Sequence, residues 1–257
     1  MISYGRERIQ RIWKSRGLSP EEAERANKMF NADTLTLGFS RRFATYKRAN
    51  MLLHDPARLI RILTNPQRPV QLLIAGKAHP ADRPGQAMIQ EWVRFIQQPE
   101  VRPHAIFLTD YDMFVAANLV AGVDVWINTP RRPWEACGTS GMKVLANGGL
   151  NLSELDGWWA EAYSPEVGWA LGDGVDRGYD PAWDAEEAVR LYDLLENEVI
   201  PEFYNRNGKG IPVAWVARVR ESMARLTPQY SANRTVREYT ERFYVPGAKL
   251  YQERAAN

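Results

Sequence analysis

Short apolar runs alternating with helical stretches constrain this chain more than any other feature. Thr34 to Phe39, Val70 to Ala75, His104 to Leu108, Val123 to Ile127, Gly149 to Leu152 and Gly168 to Leu171 read as strands. Between them the apolar spacing predicts helices over 46–65, 84–98 and 111–121, and another running from a Pro130–Gly141 loop through Asn147. Val70–Ala75 (Val-Gln-Leu-Leu-Ile-Ala) is a continuous apolar run of the kind that a strand buried on both faces requires. Strands that alternate with helices build βαβ units, so the chain is expected to form a doubly wound, mostly parallel α/β sheet. Two helices, 4–16 and 20–29, are expected ahead of the first strand. From Ala185 onward the pattern is all-helical, over 185–206, 212–226 and 230–243.

Composition narrows the function classes. Hydrophobic residues make up 45% of 257 positions, enough for a sizeable core. Thirty-three basic against 31 acidic residues leave a net charge of +2, which gives no support for bulk nucleic-acid binding. Cys137 is the single cysteine, so no disulfide forms within the chain, and a reducing, cytoplasmic setting is expected. Met1 to Trp13 is polar and basic without a signal-peptide core, and no apolar run approaches the ~20 residues that span a bilayer. The three histidines are scattered, which argues against a Cys/His pair or a metal centre.

In an open α/β sheet, ligands bind beyond the carboxyl ends of the strands. The unusual residues of this chain collect there. Arg41, Arg42, Tyr46 and Lys47 follow the first strand, and Gly76, Lys77, His79 and Pro80 the second. Asp110, Tyr111 and Asp112 follow the third, Glu135 to Lys143 the fourth, and Glu154, Asp156, Gly157 and Trp158 the fifth. Arg41, Arg42, Lys47 and Arg48 are either a solvated helix start or an anion site. Cations at a helix N-terminus oppose its dipole, and a bound anion relieves that conflict.

Glu135-Ala136-Cys137-Gly138-Thr139-Ser140-Gly141-Met142-Lys143 places a carboxylate, a thiol, a glycine/hydroxyl loop and one lysine within nine residues. Such a loop entering a helix offers backbone N–H groups to a phosphate. A lysine desolvated there can form a Schiff base, and cradle plus lysine is what a pyridoxal 5′-phosphate site needs. Read alone, the spacing favours a surface lysine with its stem over the helix at Lys143 and a small buried residue at Cys137, with Glu135 open to a loop-acceptor role.

Phe39-Ser40-Arg41-Arg42-Phe43-Ala44-Thr45-Tyr46-Lys47-Arg48 resembles the phosphate-site motif of α-glucan (glycogen or maltodextrin) phosphorylases. Ala75 to Pro80, Asp110 to Met113, Asp124 to Pro133 with Glu135 to Lys143, and Asn151 to Trp159 are similar to the family's later motifs, in order. The likeness is closest to the short bacterial type and covers only the family's carboxyl-terminal half. It implies the Rossmann-like carboxyl-terminal lobe of a two-lobed GT-B fold: a lead-in over 1–33, a cofactor- and phosphate-binding lobe over 34–228, and a terminal helix over 229–257 that crosses onto the other lobe. The implied activity is retaining phosphorolysis of terminal α-1,4-glucosyl bonds to glucose 1-phosphate.

The resemblance also implies roles. Lys143 would carry pyridoxal 5′-phosphate. Arg41, with Thr139, Ser140 and Gly141, would hold its phosphate, and Tyr111 would lie near its ring. Arg42 and Lys47 would bind the substrate phosphate, while Glu135, Tyr46 and the backbone of Cys137 and Gly138 would meet the terminal glucose. Two departures stand out: Cys137 replaces the usual serine, and Asp112 stands where animal-type enzymes carry arginine. The rival is a retaining nucleotide-sugar (glycogen-synthase-like) transferase, which needs a second glutamate where Lys143 stands. A lysine cannot accept a bond from a ribose hydroxyl. An inactive half-protein that binds cofactor and glucan is a further alternative. Partners would be an α-1,4-glucan or maltodextrin, inorganic phosphate, and an amino-terminal lobe from the same gene product or a separate subunit. Without that lobe, Val236, Tyr239 and Phe243 would be exposed and promote self-association.

Overall fold

The computed structural model describes residues 30–256 and, before them, Glu7 alone. The helices expected over 4–16 and 20–29 lie outside the described residues. Six parallel strands, β1 (Leu35–Ser40), β2 (Val70–Ala75), β3 (Ala105–Leu108), β4 (Val125–Asn128), β5 (Leu150–Glu154) and β6 (Gly168–Leu171), form one sheet in the order 3-2-1-4-5-6. This is the doubly wound order with a switch point between β1 and β4, where the chain reverses its direction of winding. The two halves meet through Leu37 opposite Val125 and Gly38 opposite Trp126.

Strand side chains divide between the two faces with a period of two. Leu35, Leu37, Phe39, Leu72, Ile74, Val125, Ile127 and Leu152 feed the larger core cluster. Leu73, Ala75 and Trp126 point the other way, into a second cluster with Leu119 and Val144. Both faces are therefore covered, as a parallel sheet requires.

The covering helices are α1 (Pro56–Leu63), α2 (Arg83–Ile96), α3 (Met113–Gly122), α4 (Thr139–Ala146), α5 (Trp159–Ala162), α6 (Pro181–Leu194), α7 (Ile200–Tyr204) and α8 (Val213–Gln229), followed by α9 (Ala232–Tyr239) and α10 (Val245–Ala256). Asp55, Asp82, Asp112 and Asp180 cap α1, α2, α3 and α6 by accepting from first-turn amides. Asp112, the departure from the animal-type pattern, is thus committed to starting a helix.

Three helical expectations are corrected. The helix expected over 46–65 is two 3₁₀ turns, Thr45–Lys47 and Met51–Leu53, followed by α1. Arg48 interrupts it with φ 46°, in the left-handed region that a non-glycine residue enters only at a cost. The helix expected over 185–206 starts earlier, at Pro181, and passes through a π turn at Leu195–Val199 ahead of Pro201. The last helix runs past residue 243 to Ala256, with a second π turn at Thr240–Tyr244 ahead of Pro246. A widened turn accommodates the ring and missing N–H of a proline in each case.

Candidate functional site

The loops after β1 and β4 flank the switch point, and an ion-pair cluster joins them. Arg41 Nη2 donates to Glu135 Oε2 at 2.8 Å, and Lys47 Nζ reaches the same oxygen at 2.5 Å. All three side chains are nearly buried. The dipole conflict expected at 41–48 is therefore corrected: no α-helix begins there, and Glu135 answers two of the cations.

Backbone geometry fixes both loops. Arg41 and Phe43 amides donate to Ala75 and Lys77 carbonyls. Gly76 has φ 154°, and a Cβ there would stand 2.1 Å from the Arg41 carbonyl, so only glycine lets the β1 and β2 loops approach this closely. The Arg131 amide donates to the Tyr46 carbonyl across the switch point. The Glu135 amide donates to Asp156 Oδ2 at 2.8 Å, and the Trp158 amide to the Cys137 carbonyl at 2.9 Å, so the loop after β5 clamps the loop after β4.

Gly138, with φ 85° and ψ 51°, begins α4, and no side chain caps that helix. Its first amides have no intrahelical acceptor. A Cβ on Gly138 would stand 3.5 Å from Glu135 Cγ, which sets the α4 N-terminus against the ion-pair cluster. Ser140 Oγ accepts from Trp126 Nε1 at 3.1 Å. A Cβ on Gly141 would meet Asn151 Oδ1 at 2.5 Å, so this glycine seats α4 on β5.

Arg41 shows what the cluster lacks. Burial pulls its guanidinium down to about 10, while Glu135 pulls the other way, so it stays charged at neutral pH. Its Nε and Nη1 are buried without hydrogen-bond partners. A buried cation with free donors beside uncapped helix amides is a fit for a phosphate group. The residues therefore suit the phosphate end of pyridoxal 5′-phosphate.

Lys143 departs from expectation. It lies five residues into α4 rather than at its entrance, and it is exposed instead of sealed in a dry pocket. Gly141, Val144 and Leu145 take the buried face of the same short helix, which leaves Lys143 on the outer one. Arg42 is exposed as well, and its Nη2 stands 3.4 Å from the Tyr46 hydroxyl. The Tyr46 ring lies 4.9 Å from Lys47 Nζ. Tyr111 packs against the second core cluster, the one that contains Trp126, the residue bonded to Ser140. Burial raises the Cys137 thiol above its ordinary value, with the Glu135 charge adding to it, which suits a passive residue better than a nucleophile.

The sequence reading missed Asp184 and Glu187. Both engage Arg48, the residue after Lys47. Their spacing of three puts them on one face of α6, just after its Asp180-Pro181 start, a signal that was available. Among the described residues, no helix is long and apolar enough to cross a membrane, and no cluster of metal-ligating residues occurs.

A doubly wound parallel sheet with a buried cation cluster at its switch point defines the class as a Rossmann-like α/β protein. Residues 22–168 match the carbohydrate phosphorylase family, and the chain belongs to it. Relatives include a glycogen phosphorylase of Mycobacterium tuberculosis, 46% identical over 99% of this chain and 30% of the relative. A glycogen phosphorylase of Aquifex aeolicus is 41% identical over 95% of this chain and 35% of its own length. A maltodextrin phosphorylase of Thermococcus litoralis is 45% identical over 82% of this chain and 25% of its own length. The chain thus spans about a third of the length of these relatives.

Proposed function

We propose that this chain is the cofactor- and phosphate-binding lobe of an α-1,4-glucan phosphorylase. The observation that carries the reading is Arg41: a buried guanidinium whose Nε and Nη1 are unpartnered, near the uncapped start of α4. Family membership makes a phosphorylase the reading of that anion site, ahead of the nucleotide-sugar transferase.

In this reading pyridoxal 5′-phosphate, when bound, supplies a phosphate group that gives and takes a proton beside the substrate phosphate. Arg41 and the amides of Thr139 and Ser140 hold that phosphate, Gly141 seats their helix, Tyr111 lies at the ring, and Lys143 is the attachment point. Arg42 and Lys47 bind inorganic phosphate and offset the repulsion between two phosphates in contact. Arg41 and Lys47 both use Oε2 of Glu135, and Oε1 is the atom we assign to a sugar hydroxyl. Tyr46 and the backbone of Cys137 and Gly138 complete the glucose contacts.

Residues 34–228 form the binding lobe, and the helices beyond 229 pack on a second lobe that closes the glucose site. Glucan and inorganic phosphate are the substrates, in a reducing cytoplasmic setting. By itself the chain is expected to give little phosphorolysis, since one wall leaves the sugar open to water. Val236, Tyr239 and Phe243 are exposed, which favours self-association of the isolated chain.

Loading with pyridoxal 5′-phosphate, borohydride reduction and peptide mapping test the reading. A pyridoxyl adduct concentrated on Lys143 is expected. Adducts spread over other lysines with Lys143 unlabelled would overturn it.

A further inference from the structure

One residue beyond Lys47, a second buried charge cluster is built the opposite way. Arg48 Nη2 pairs with Glu154 at 2.9 Å, and its Nη1 with Asp184 at 3.1 Å and with Glu187. Arg131 also pairs with Asp184. Two guanidinium groups therefore face three carboxyls, and Glu154 and Glu187 are almost fully buried. Of the other charged groups lining the same cavity, Arg177 is committed to Asp173, and Arg132 donates to the Leu155 carbonyl.

Two geometric facts place a proton. A Cβ on Gly172 would stand 1.9 Å from Glu154 Oε1 and 3.0 Å from Glu187 Oε1, so both oxygens converge under one glycine. Glu187 Oε1 is also buried with no partner when both acids are ionised. One proton between the two oxygens satisfies that orphan. The cavity holds about 10 Å³, room for a single water at most, so hydration cannot screen two like charges there. Burial and the neighbouring Glu187 push Glu154 up to about 9 in spite of Arg48.

We propose that Glu154 and Glu187 share a single proton at neutral pH, and that this neutralised pair holds Arg48 as the positioning residue of the anion-binding loops. Arg48 donates to the carbonyls of Thr129 and Pro130 at 3.1 and 2.8 Å, tying the β1 loop to the β4 loop at the point where Lys47 and Glu135 meet. The same anchors hold its backbone in the left-handed region. The positioning role rests on the phosphate-binding function proposed above, whereas the shared proton does not.

Infrared spectroscopy and pH-dependent melting test the proton. A protonated-carboxyl band is expected at pH 7, lost near pH 9 and absent from Glu187→Gln, whose amide can donate to Glu154 while its oxygen accepts from Arg48. The sign follows from linkage: the folded chain keeps a proton that the unfolded chain loses near pH 4.5. Wild-type stability therefore falls as pH rises from about 5 to 9. Glu187→Gln should flatten that fall and melt higher than wild type at pH 9. Absence of the band from wild type, or an equal loss of stability in Glu187→Gln at every pH, overturns the shared proton.

Calorimetry with inorganic phosphate, which is dianionic throughout the window, tests positioning. Affinity should drop about fivefold from pH 8 to 9.5 in wild type and hold in Glu187→Gln. Parallel losses in both proteins, or no phosphate binding alongside an intact infrared band, overturn the positioning role and leave the shared proton standing.

Discussion

Lys47 and Arg48 are neighbours in the chain and belong to opposite kinds of cluster. Around Lys47, two cations share one carboxylate, and Arg41 keeps unpartnered donors. Around Arg48, two cations face three carboxyls, and Glu187 keeps an unpartnered acceptor. A surplus of buried donors is met by an anion, whereas a surplus of buried acceptors is met by a proton. On the proposals above, the first cluster takes a ligand and the second is complete within the chain. In that reading one binds and the other holds.

The sharpest way to break this contrast is Arg48→Ala. It leaves Glu154 and Glu187 in the interior without their cation and should cost roughly 3–5 kcal/mol, the penalty for breaking a buried pair. Chemical denaturation would show it, and a chain that stays within 1 kcal/mol of wild type would remove Arg48 from the centre of the network.

Asp124 supplies a control remote from both clusters. It lies half-buried just ahead of β4, accepts from the Thr36 amide at 2.8 Å, and is pushed by desolvation up to about 6. Its folded pKa is raised, so its contribution is full below about pH 4 and lost as pH climbs through about 6. Asp124→Asn should remove that loss, on the order of 2–3 kcal/mol. Melts at pH 5 and pH 7 that shift equally in wild type and variant would refute it.

Arg41→Gln separates binding from holding. Stability should move by about 1 kcal/mol or less, because the arginine is only partly satisfied. Affinity for pyridoxal 5′-phosphate should fall at least about tenfold, by the scale of a charge-assisted contact. Calorimetry that returned wild-type affinity would place the anion elsewhere. Lys143→Ala should have the smallest effect on stability, within about 0.5 kcal/mol for an exposed side chain, while abolishing pyridoxyl labelling of the α4 peptide.

Much of this fold was legible in the sequence, because apolar runs bounded by turn residues report their own burial. β2 and β6 match the expected spans residue for residue, and the other strands shift by one or two positions at their ends. The Asp55 and Asp180 caps were missed, and the helices that follow them were expected to begin at 46 and 185. Position 48 was not legible. An arginine in a basic, helix-like stretch gives no local sign of a left-handed backbone, because its anchors come from Pro130, Glu154 and Glu187, far along the chain. The site loops could be recognised, but their pairing could not. Glu135 was expected to face sugar, and the structure commits one of its oxygens to Arg41 and Lys47. Lys143 was expected to be buried, but one turn of an eight-residue helix rotates it outward.

The seam between β1 and β4 gives the site a place in the order of assembly. Only two residue pairs join the halves of the sheet there, and they bring together segments almost ninety positions apart. The larger core cluster draws on both halves, and the proposed anion site takes Arg41 from one and Glu135 from the other, so it needs both in place. A phosphate bound at the proposed site would add a contact across this seam, and so favour the folded chain over the unfolded one.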